Sequence, residues 1–509
     1  IMSSRLIKCM VFSFLFLTGC NSDLLKDVSL ALSQTDNKNN GAGPSPSPIQ
    51  SPIPSGSPSP VPTDAEGSPV NAATALRIFS KSGKKYVPAD FSSMDIELTI
   101  DNSAETATGD VKIIFNVPTG GYPYFLLNTS IINASLDGQA VQTFSVTDPE
   151  GQNTLISLDA EVSRDTEHIL ELSYSLGADQ VSYRTGGVGF ITAMADIASG
   201  NFFEDYGPAS FEDDQFELSL KIILKGVSNE HRVFTNGTVT AMAPFAWQID
   251  FPPYFTSSSF YLHVTDKSLS VREFTYRGLA KTIPVTVYSE DSASAASGAS
   301  YVPALFSELE GEYGPFLHDK FIAYISGSGG MEYAGATITS VSALGHELMH
   351  SWFGRGVMPD GGRSGWIDEA IASWRDYDYF QSAIPADRSP VELDNQSVYD
   401  RFTPYEAYAS GRKLLSELDT MFWAGYGGLR PLLAGFFQSY QTRVIGTADL
   451  EKYLETVTST DLGLIFQKYV YGSSQSAAQV YTQSLSNYAQ YYLGNHPPAL
   501  TDAEIKSIR

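Results

Sequence analysis

The strongest constraint on the fold is a period of two in the apolar residues between about 84 and 282. The clearest runs are Met94, Ile96, Leu98 and Ile100, then Leu170, Leu172, Tyr174 and Leu176, then Phe216, Leu218, Leu220, Ile222 and Leu224. Apolar residues that alternate with polar ones are typical of strands with one buried face. We therefore predict an N-terminal antiparallel β-rich domain over 84–282.

The pattern changes after about residue 283. Apolar spacing then favours helices around 301–313, 340–353, 366–380, 404–423, 448–457 and 459–470, with a strand at 319–326. We predict a multidomain α+β protein, in which a mainly helical domain over 283–475 follows the β-rich domain. A helical tail is expected at 476–509.

Composition excludes several classes of protein and of site. Hydrophobic residues make up 42% of the 509 residues, so a globally disordered chain is excluded. The net charge of −25 repels phosphate backbones, so nucleic acid is not an expected partner. The two cysteines are Cys9 and Cys20, so a metal site further along the chain must use His, Asp or Glu.

The first residues have the charge order of an export signal. Arg5 and Lys8 precede a short apolar run that ends in Leu17-Thr18-Gly19-Cys20, which resembles a bacterial lipobox. We predict a lipoprotein signal peptide at 1–20, a lipid anchor on Cys20 and a polar, then Pro/Ser-rich linker at 21–83. The expected location is the bacterial cell envelope, facing the periplasm or the cell surface. The resemblance to a lipobox implies the outer membrane, because Asn21 stands where the inner-membrane retention signal has Asp.

A His-Glu-x-x-His motif lies within the predicted helix 340–353. His346 and His350 are four residues apart, so both imidazoles lie on one helix face and can bind one zinc ion. Glu347 lies beside them, where it can take a proton from a water. Two imidazoles leave a catalytic zinc site one ligand short, and Glu369 in the next predicted helix is the expected third ligand. We predict one Zn²⁺ per chain, with a fourth position open for water or substrate.

Together with Glu369 in Trp366-x-x-Glu369, this motif resembles the gluzincin aminopeptidases, the family of aminopeptidase N and the leukotriene hydrolase. Two further motifs are similar to those of the family. They are Gly329-Gly330-Met331-Glu332-Tyr333 upstream and Tyr408-Ala409-Ser410-Gly411 downstream. The resemblance covers about 84–475 and implies a thermolysin-like catalytic domain.

The resemblance also implies roles for individual residues. Glu332 would bind the free amino group of a peptide, the backbone at Gly329 and Gly330 would lie along the substrate, and Tyr408 would donate to the oxyanion. Tyr405 is the rival for the last role.

The chain departs from the family where Tyr333 and Arg355 replace the usual Asn or Asp. Other candidates are Glu204, as a second acid that binds the amine, and Asp376, as either a residue that orients a ligand or only a surface acid.

The expected function is therefore that of a zinc metallopeptidase, an aminopeptidase that hydrolyses peptides by metal-activated water. Two alternatives remain open. One is a catalytically weak protein that binds peptides on the same fold, and the other is an endopeptidase. The retained Glu347 argues against the weak binding protein, because a site without turnover has no need of the base.

Replacing Cys20 by serine tests the predicted anchor. Cys20→Ser removes the thiol that would be acylated, so the protein should appear in the soluble fraction or remain as uncleaved precursor. Cell fractionation with mass spectrometry of the N-terminal peptide measures this. Wild-type protein that carries no lipid and is washed from membranes by salt would contradict the prediction.

Overall fold

The computed structural model describes residues 77–164, 166–195, 201–327, 329–382, 389–394 and 397–472. These residues all belong to one unit of the chain, Pro60–Arg509. The predicted signal peptide with Cys20, the linker up to residue 76 and the tail at 476–509 lie outside the described residues. The first strand begins at Phe79, five residues before the predicted start of the β-rich domain at 84.

The first seventeen strands of the described chain form three sheets, with orders β1-β2-β5-β9-β8, β15-β16-β13-β3-β4-β10-β6-β7 and β11-β12-β17-β14. Their bounds are β1 (Phe79–Lys81), β2 (Lys84–Pro88), β3 (Asp90–Asp101), β4 (Thr106–Asn116), β5 (Tyr122–Phe125), β6 (Ser130–Leu136), β7 (Gln139–Ala140), β8 (Thr143–Thr147), β9 (Thr154–Leu158), β10 (His168–Ser175), β11 (Val181–Arg184), β12 (Gly187–Ile191), β13 (Glu217–Lys225), β14 (Arg232–Thr235), β15 (Thr238–Ala243), β16 (Ala246–Asp250) and β17 (Leu262–Thr265). Short 3₁₀ turns lie at Phe203–Asp205 and Ser257–Ser259.

The predicted alternation is confirmed in these strands. In β3, for example, Met94, Ile96, Leu98 and Ile100 are all buried. The predicted antiparallel pairing is found in these sheets with two exceptions: β3 pairs with β13 in parallel, and β2 pairs with β5 in parallel. Parallel neighbours need a long connection between them, and here the intervening strands supply it.

A fourth sheet has the order β18-β19-β20-β22-β21. It comprises β18 (Ser270–Arg277), β19 (Thr282–Ser289), β20 (Phe321–Ile325), β21 (Gly330–Tyr333) and β22 (Ala336–Thr339). Helix α1 (Ser292–Tyr313) connects the parallel strands β19 and β20, and β20 confirms the strand predicted at 319–326. Two short strands, β23 (Met358–Pro359) and β24 (Val444–Ile445), pair in parallel elsewhere.

The later part of the described chain is mainly helical. It contains α2 (Leu344–Met349), α3 (Trp366–Asp376), a π-helix (Ala407–Gly411), α4 (Arg412–Tyr426), α5 (Arg430–Tyr440), α6 (Thr447–Thr458) and α7 (Gly463–Tyr469). Every predicted helical stretch contains an observed helix, but α5 was not predicted. Its Pro431 lies in the first turn, where proline is tolerated although it disrupts a helical pattern elsewhere.

Two hydrophobic cores hold these elements. One lies among the first three sheets and extends to Met331 and Tyr333 of β21. The other lies among the helices and includes Leu348 of α2 and Trp366 of α3. Among the described residues, no helix has the length and apolar composition needed to cross a membrane.

Tyr333 joins β21 to the β-rich part of the chain. Its side chain is fully buried, and its hydroxyl donates to the carbonyl of Thr192 at 2.9 Å and accepts from the amide of Met194 at 3.1 Å. Tyr333, which stands where the resembled gluzincin aminopeptidases have Asn, therefore makes structural contacts, and they fix the strand that carries Glu332.

Removing this hydroxyl should destabilise the fold. Tyr333→Phe leaves a buried amide and a buried carbonyl without this partner, so the free energy of unfolding should fall by about 1–3 kcal/mol. Urea denaturation measures the change. The control Tyr301→Phe removes a hydroxyl from a side chain that is 56% exposed and should shift the free energy by less than about 0.5 kcal/mol. Equal stability of the two variants would contradict the prediction.

Candidate metal centre

The two histidines of the motif lie side by side on α2. Leu344, Leu348 and Met349 are fully buried and anchor this short helix in the second core. His346 lies within α2, and His350 follows its last residue with helical backbone angles, so the imidazole centroids are 5.0 Å apart. The spacing of the motif thus gives the predicted geometry.

Glu369 on α3 completes the predicted set of three ligands. Its Oε2 lies 3.0 Å from Nε2 of His346 and 3.6 Å from Nε2 of His350. One ligand atom from each residue lies within 4.8 Å of the other two. Nε2 of His350 is buried and has no hydrogen-bond partner in the described part of the chain. An unsatisfied imidazole nitrogen aimed at a carboxylate and a second imidazole is the arrangement that a zinc ion requires, so these residues fit the metal.

Two further carboxylates orient the imidazoles from behind. Oδ2 of Asp376 accepts from Nδ1 of His346 at 2.7 Å, although the Asp376 side chain is about a third exposed. Nδ1 of His350 lies 3.4 Å from Oδ2 of Asp368 and 3.2 Å from the carbonyl oxygen of Phe353. Asp376 is therefore more than a surface acid. Asp368 was missed, although its position next to Glu369 was a signal that could have identified it. Such contacts fix the ring orientation of metal-binding histidines.

The electrostatics of the cluster favour a bound cation. Burial alone would lower the pKa of His346, but the carboxylates of Asp376 and Glu369 raise it to about 10. Burial likewise opposes charge on His350, yet Glu332 and Glu369 hold its pKa well above the usual range. The imidazoles in turn hold the pKa of Glu369 well below its usual range against the effect of burial. The carboxylates therefore need positive charge beside them, from protons or from a metal ion.

Glu347 lies between this cluster and β21. A Cβ atom built on Gly330 would lie 1.9 Å from Oε1 of Glu347, so only glycine leaves room for the carboxylate there. Burial raises the pKa of Glu347 to about 8. A cation held by the neighbouring imidazoles would oppose this effect of burial and favour the charged carboxylate.

Tyr408 lies on the π-helix Ala407–Gly411, a type of helix that is frequent at functional sites. Its hydroxyl donates to Oε1 of Glu369 at 2.5 Å, and its ring stacks on His346. The rival Tyr405 is 72% exposed, and its ring contacts that of Tyr408 from outside. The structure thus brings Tyr408 to the cluster and leaves Tyr405 at the surface.

Glu332 and Gly330 reach the same site from β21. Glu332 is buried, and its carboxylate lies within 4.8 Å of ligand atoms of Glu347 and His350. Gly329 precedes β21 with a φ of +68°, and a Cβ atom built on it would meet no described atom within 4 Å. Glu332 also contacts Arg355, whose guanidinium donates to Oε1 at 2.7 Å. This ion pair was not predicted from the sequence.

Glu204 is likewise paired with an arginine. Arg401 donates to both carboxylate oxygens of Glu204 and also to Glu212. The side chains of Glu204 and Arg401 are 4% and 3% exposed. Glu204, the candidate for a second acid that binds a substrate amine, is thus already in a buried salt bridge.

Replacing Asp376 tests its contribution to metal binding. Asp376→Asn removes the negative charge beside His346, and zinc affinity should fall by roughly 10-fold to 100-fold. Competition for zinc with a chromogenic chelator measures the affinity. The exposed Asp378 offers a matched control, since Asp378→Asn loses the same charge away from the imidazole. Equal losses in both variants would show that general charge, rather than the contact with His346, determines the affinity.

Comparison with protein-family models finds no match, and comparison with curated proteins finds none either. Several solved structures are similar. An M1 zinc metallopeptidase from Deinococcus radiodurans has 15% identity and a TM-score of 0.56, with 76% of this chain and 94% of that chain covered. Legionella pneumophila aminopeptidase A in complex with aspartic acid has 12% identity and a TM-score of 0.60, with 78% and 51% covered.

Yeast LTA4 hydrolase in complex with bestatin has 13% identity and a TM-score of 0.57, with 75% of this chain and 68% of that chain covered. At these identities the comparisons establish the fold. The chain has the fold of the M1 zinc metallopeptidases, which confirms at that level the predicted resemblance to the gluzincin aminopeptidases.

Proposed function

We propose that the protein is a zinc-dependent peptidase that holds one zinc ion through His346, His350 and Glu369. The observation that carries this proposal is the buried Nε2 of His350, which lacks a hydrogen-bond partner among the described residues and lies beside Glu369 and His346. A structural histidine would normally have that nitrogen satisfied. The similar M1 fold supports the same assignment.

The surrounding residues can then carry out hydrolysis of a peptide bond. Zinc at this site would supply a Lewis acid that polarises the substrate carbonyl and lowers the pKa of water. Glu347 would take the proton of the attacking water and return it to the leaving nitrogen. Tyr408, already within reach of Glu369, would donate its hydroxyl proton in a hydrogen bond to the oxyanion.

Removal of residues from the amino end of peptides is the finer activity that the motifs favour. Similar structures include an aminopeptidase A bound to aspartic acid and a Deinococcus M1 zinc metallopeptidase variant bound to a Tyr-Ser-Ala substrate. In this chain Glu332 lies beside Glu347 and His350, where a carboxylate would bind the amino group of a peptide held at the metal.

Cleavage within peptides is the second candidate activity. The contact between Arg355 and Glu332 favours it, because the acid that would bind a free amine already has a cationic partner.

We further propose that peptides are the partners of this site and that a lipid on Cys20 tethers the protein to the cell envelope. The lipobox-like motif supports the tether.

Glu347→Gln tests the proposed chemistry. The substitution keeps all three metal ligands but removes the base, so the protein should retain about one zinc per chain while kcat falls at least 10²-fold. Metal analysis and hydrolysis of a panel of peptides and amino-acid arylamides measure both quantities. Glu406→Gln makes the same change at an exposed position and should leave both unchanged.

Undiminished hydrolysis by the zinc-loaded Glu347→Gln protein would contradict the assigned base. Absence of hydrolysis by zinc-loaded wild-type protein on every peptide tested would instead favour the binding protein on the same fold.

A further inference from the structure

The strongest unexplained feature near the metal centre is the buried ion pair of Arg355 and Glu332. Their closest atoms are 2.7 Å apart, and the two side chains are 8% and 7% exposed. Nε of Arg355 also approaches the carbonyl oxygen of Glu332 at 3.4 Å, and its NH1 donates to the carbonyl of Gly354 at 3.0 Å. The guanidinium is thus attached to the strand end that would face a substrate.

This pair changes what Glu332 can recognise. A substrate ammonium group loses its hydration when it enters a buried site, and an unpaired carboxylate would compensate for that loss. Glu332 already has a cation at hydrogen-bond distance. An incoming ammonium would therefore have to share the carboxylate with Arg355 and would experience repulsion from the guanidinium at the same time.

The second candidate acid is no better placed to bind an amine. Both carboxylate oxygens of Glu204 accept hydrogen bonds from Arg401, and Arg401 also donates to Glu212. Arg355, Arg401, Glu212 and Asp368 line one small cavity of about 30 Å³. The two arginines thus lie on the same cavity, and Asp368 places that cavity directly beside His350.

We propose that Arg355 is a specificity-determining residue that neutralises Glu332, so that the subsite on the amino side of the cleaved bond accepts an uncharged acylated nitrogen. The substrate class is then peptides cleaved at interior bonds or peptides with blocked amino ends. An amide nitrogen carries no charge and does not compete with Arg355 for Glu332. This inference rests on the proposed peptidase function.

The experiment compares two peptides that differ only in acetylation of the amino terminus, with zinc-loaded full-length protein. Wild-type protein should hydrolyse both with kcat/KM values within about tenfold of each other. Arg355→Asn exposes the carboxylate of Glu332 to the substrate and should raise the preference for the free amine by roughly 30-fold or more, the size expected for a buried charge pair. Adding Glu332→Gln to Arg355→Asn should remove the gained preference, because the carboxylate that the first substitution exposes is then absent.

Two further variants act as controls. Arg355→Lys keeps a positive charge beside Glu332 and should keep the ratio near that of wild type. Arg430→Gln removes a half-buried arginine that pairs with Glu312 away from this cavity, and it should not affect the ratio. If Arg355→Asn does not fold, the ratio of the wild-type protein still decides the inference.

A wild-type preference for the free amine above about 100-fold would overturn the inference and leave the peptidase function intact. So would a wild-type preference between about tenfold and 100-fold, and its loss in Glu212→Gln would then identify Glu212 as the residue that binds the amine. If neither peptide is hydrolysed, the proposed function fails. The affinities of the same two peptides, measured by calorimetry, then test the inference. Affinities within about tenfold would support the inference, whereas much tighter binding of the free amine, or no binding of either, would overturn it.

Discussion

The carboxylate of Glu369 is the interaction on which the rest of the site depends. Its Oε1 accepts a hydrogen bond from the hydroxyl of Tyr408. Its Oε2 lies 3.0 Å from Nε2 of His346 and 3.6 Å from Nε2 of His350. Three separate elements, α2, α3 and the π-helix, therefore meet at one buried group. A buried carboxylate is costly unless cations and donors surround it. The packing of the second core around Leu348 and Trp366 holds these elements in the arrangement that satisfies this requirement.

Local sequence spacing was sufficient to predict the centre of this arrangement. Residues four apart on a helix share a face whatever the fold, so His346 and His350 follow from the motif alone. Glu369 followed from the need for a third ligand, and Tyr408 from the resemblance to a family. No local sequence pattern predicted the ion pairs around them. Glu332 and Arg355 come from a strand and from a turn after α2, and only the folded chain brings them together.

The same division applies to the fold. Alternation of apolar residues depends on each strand by itself, and it predicted the buried face of β3. Which strands become neighbours depends on contacts between distant parts of the chain, so the parallel pairing of β3 with β13 could not be read from either strand. Helix α5 was not predicted, because Pro431 and Gly435 weaken the helical pattern of its sequence. Burial of Leu433, Phe436 and Phe437 stabilises it in the folded chain.

Arg355 also affects the chemistry of the neighbouring base. Burial raises the pKa of Glu347, the two imidazoles oppose this, and the negative charge of Glu332 raises it further. A guanidinium 2.7 Å from Glu332 offsets part of that last effect, because opposite charges so close together produce a weaker field at Glu347. Without the arginine, two carboxylates would face each other in a buried site and one of them would tend to hold a proton. In the proposed mechanism, a neutralised Glu332 would thus help Glu347 to remain available as the base, in addition to changing what the proposed subsite binds.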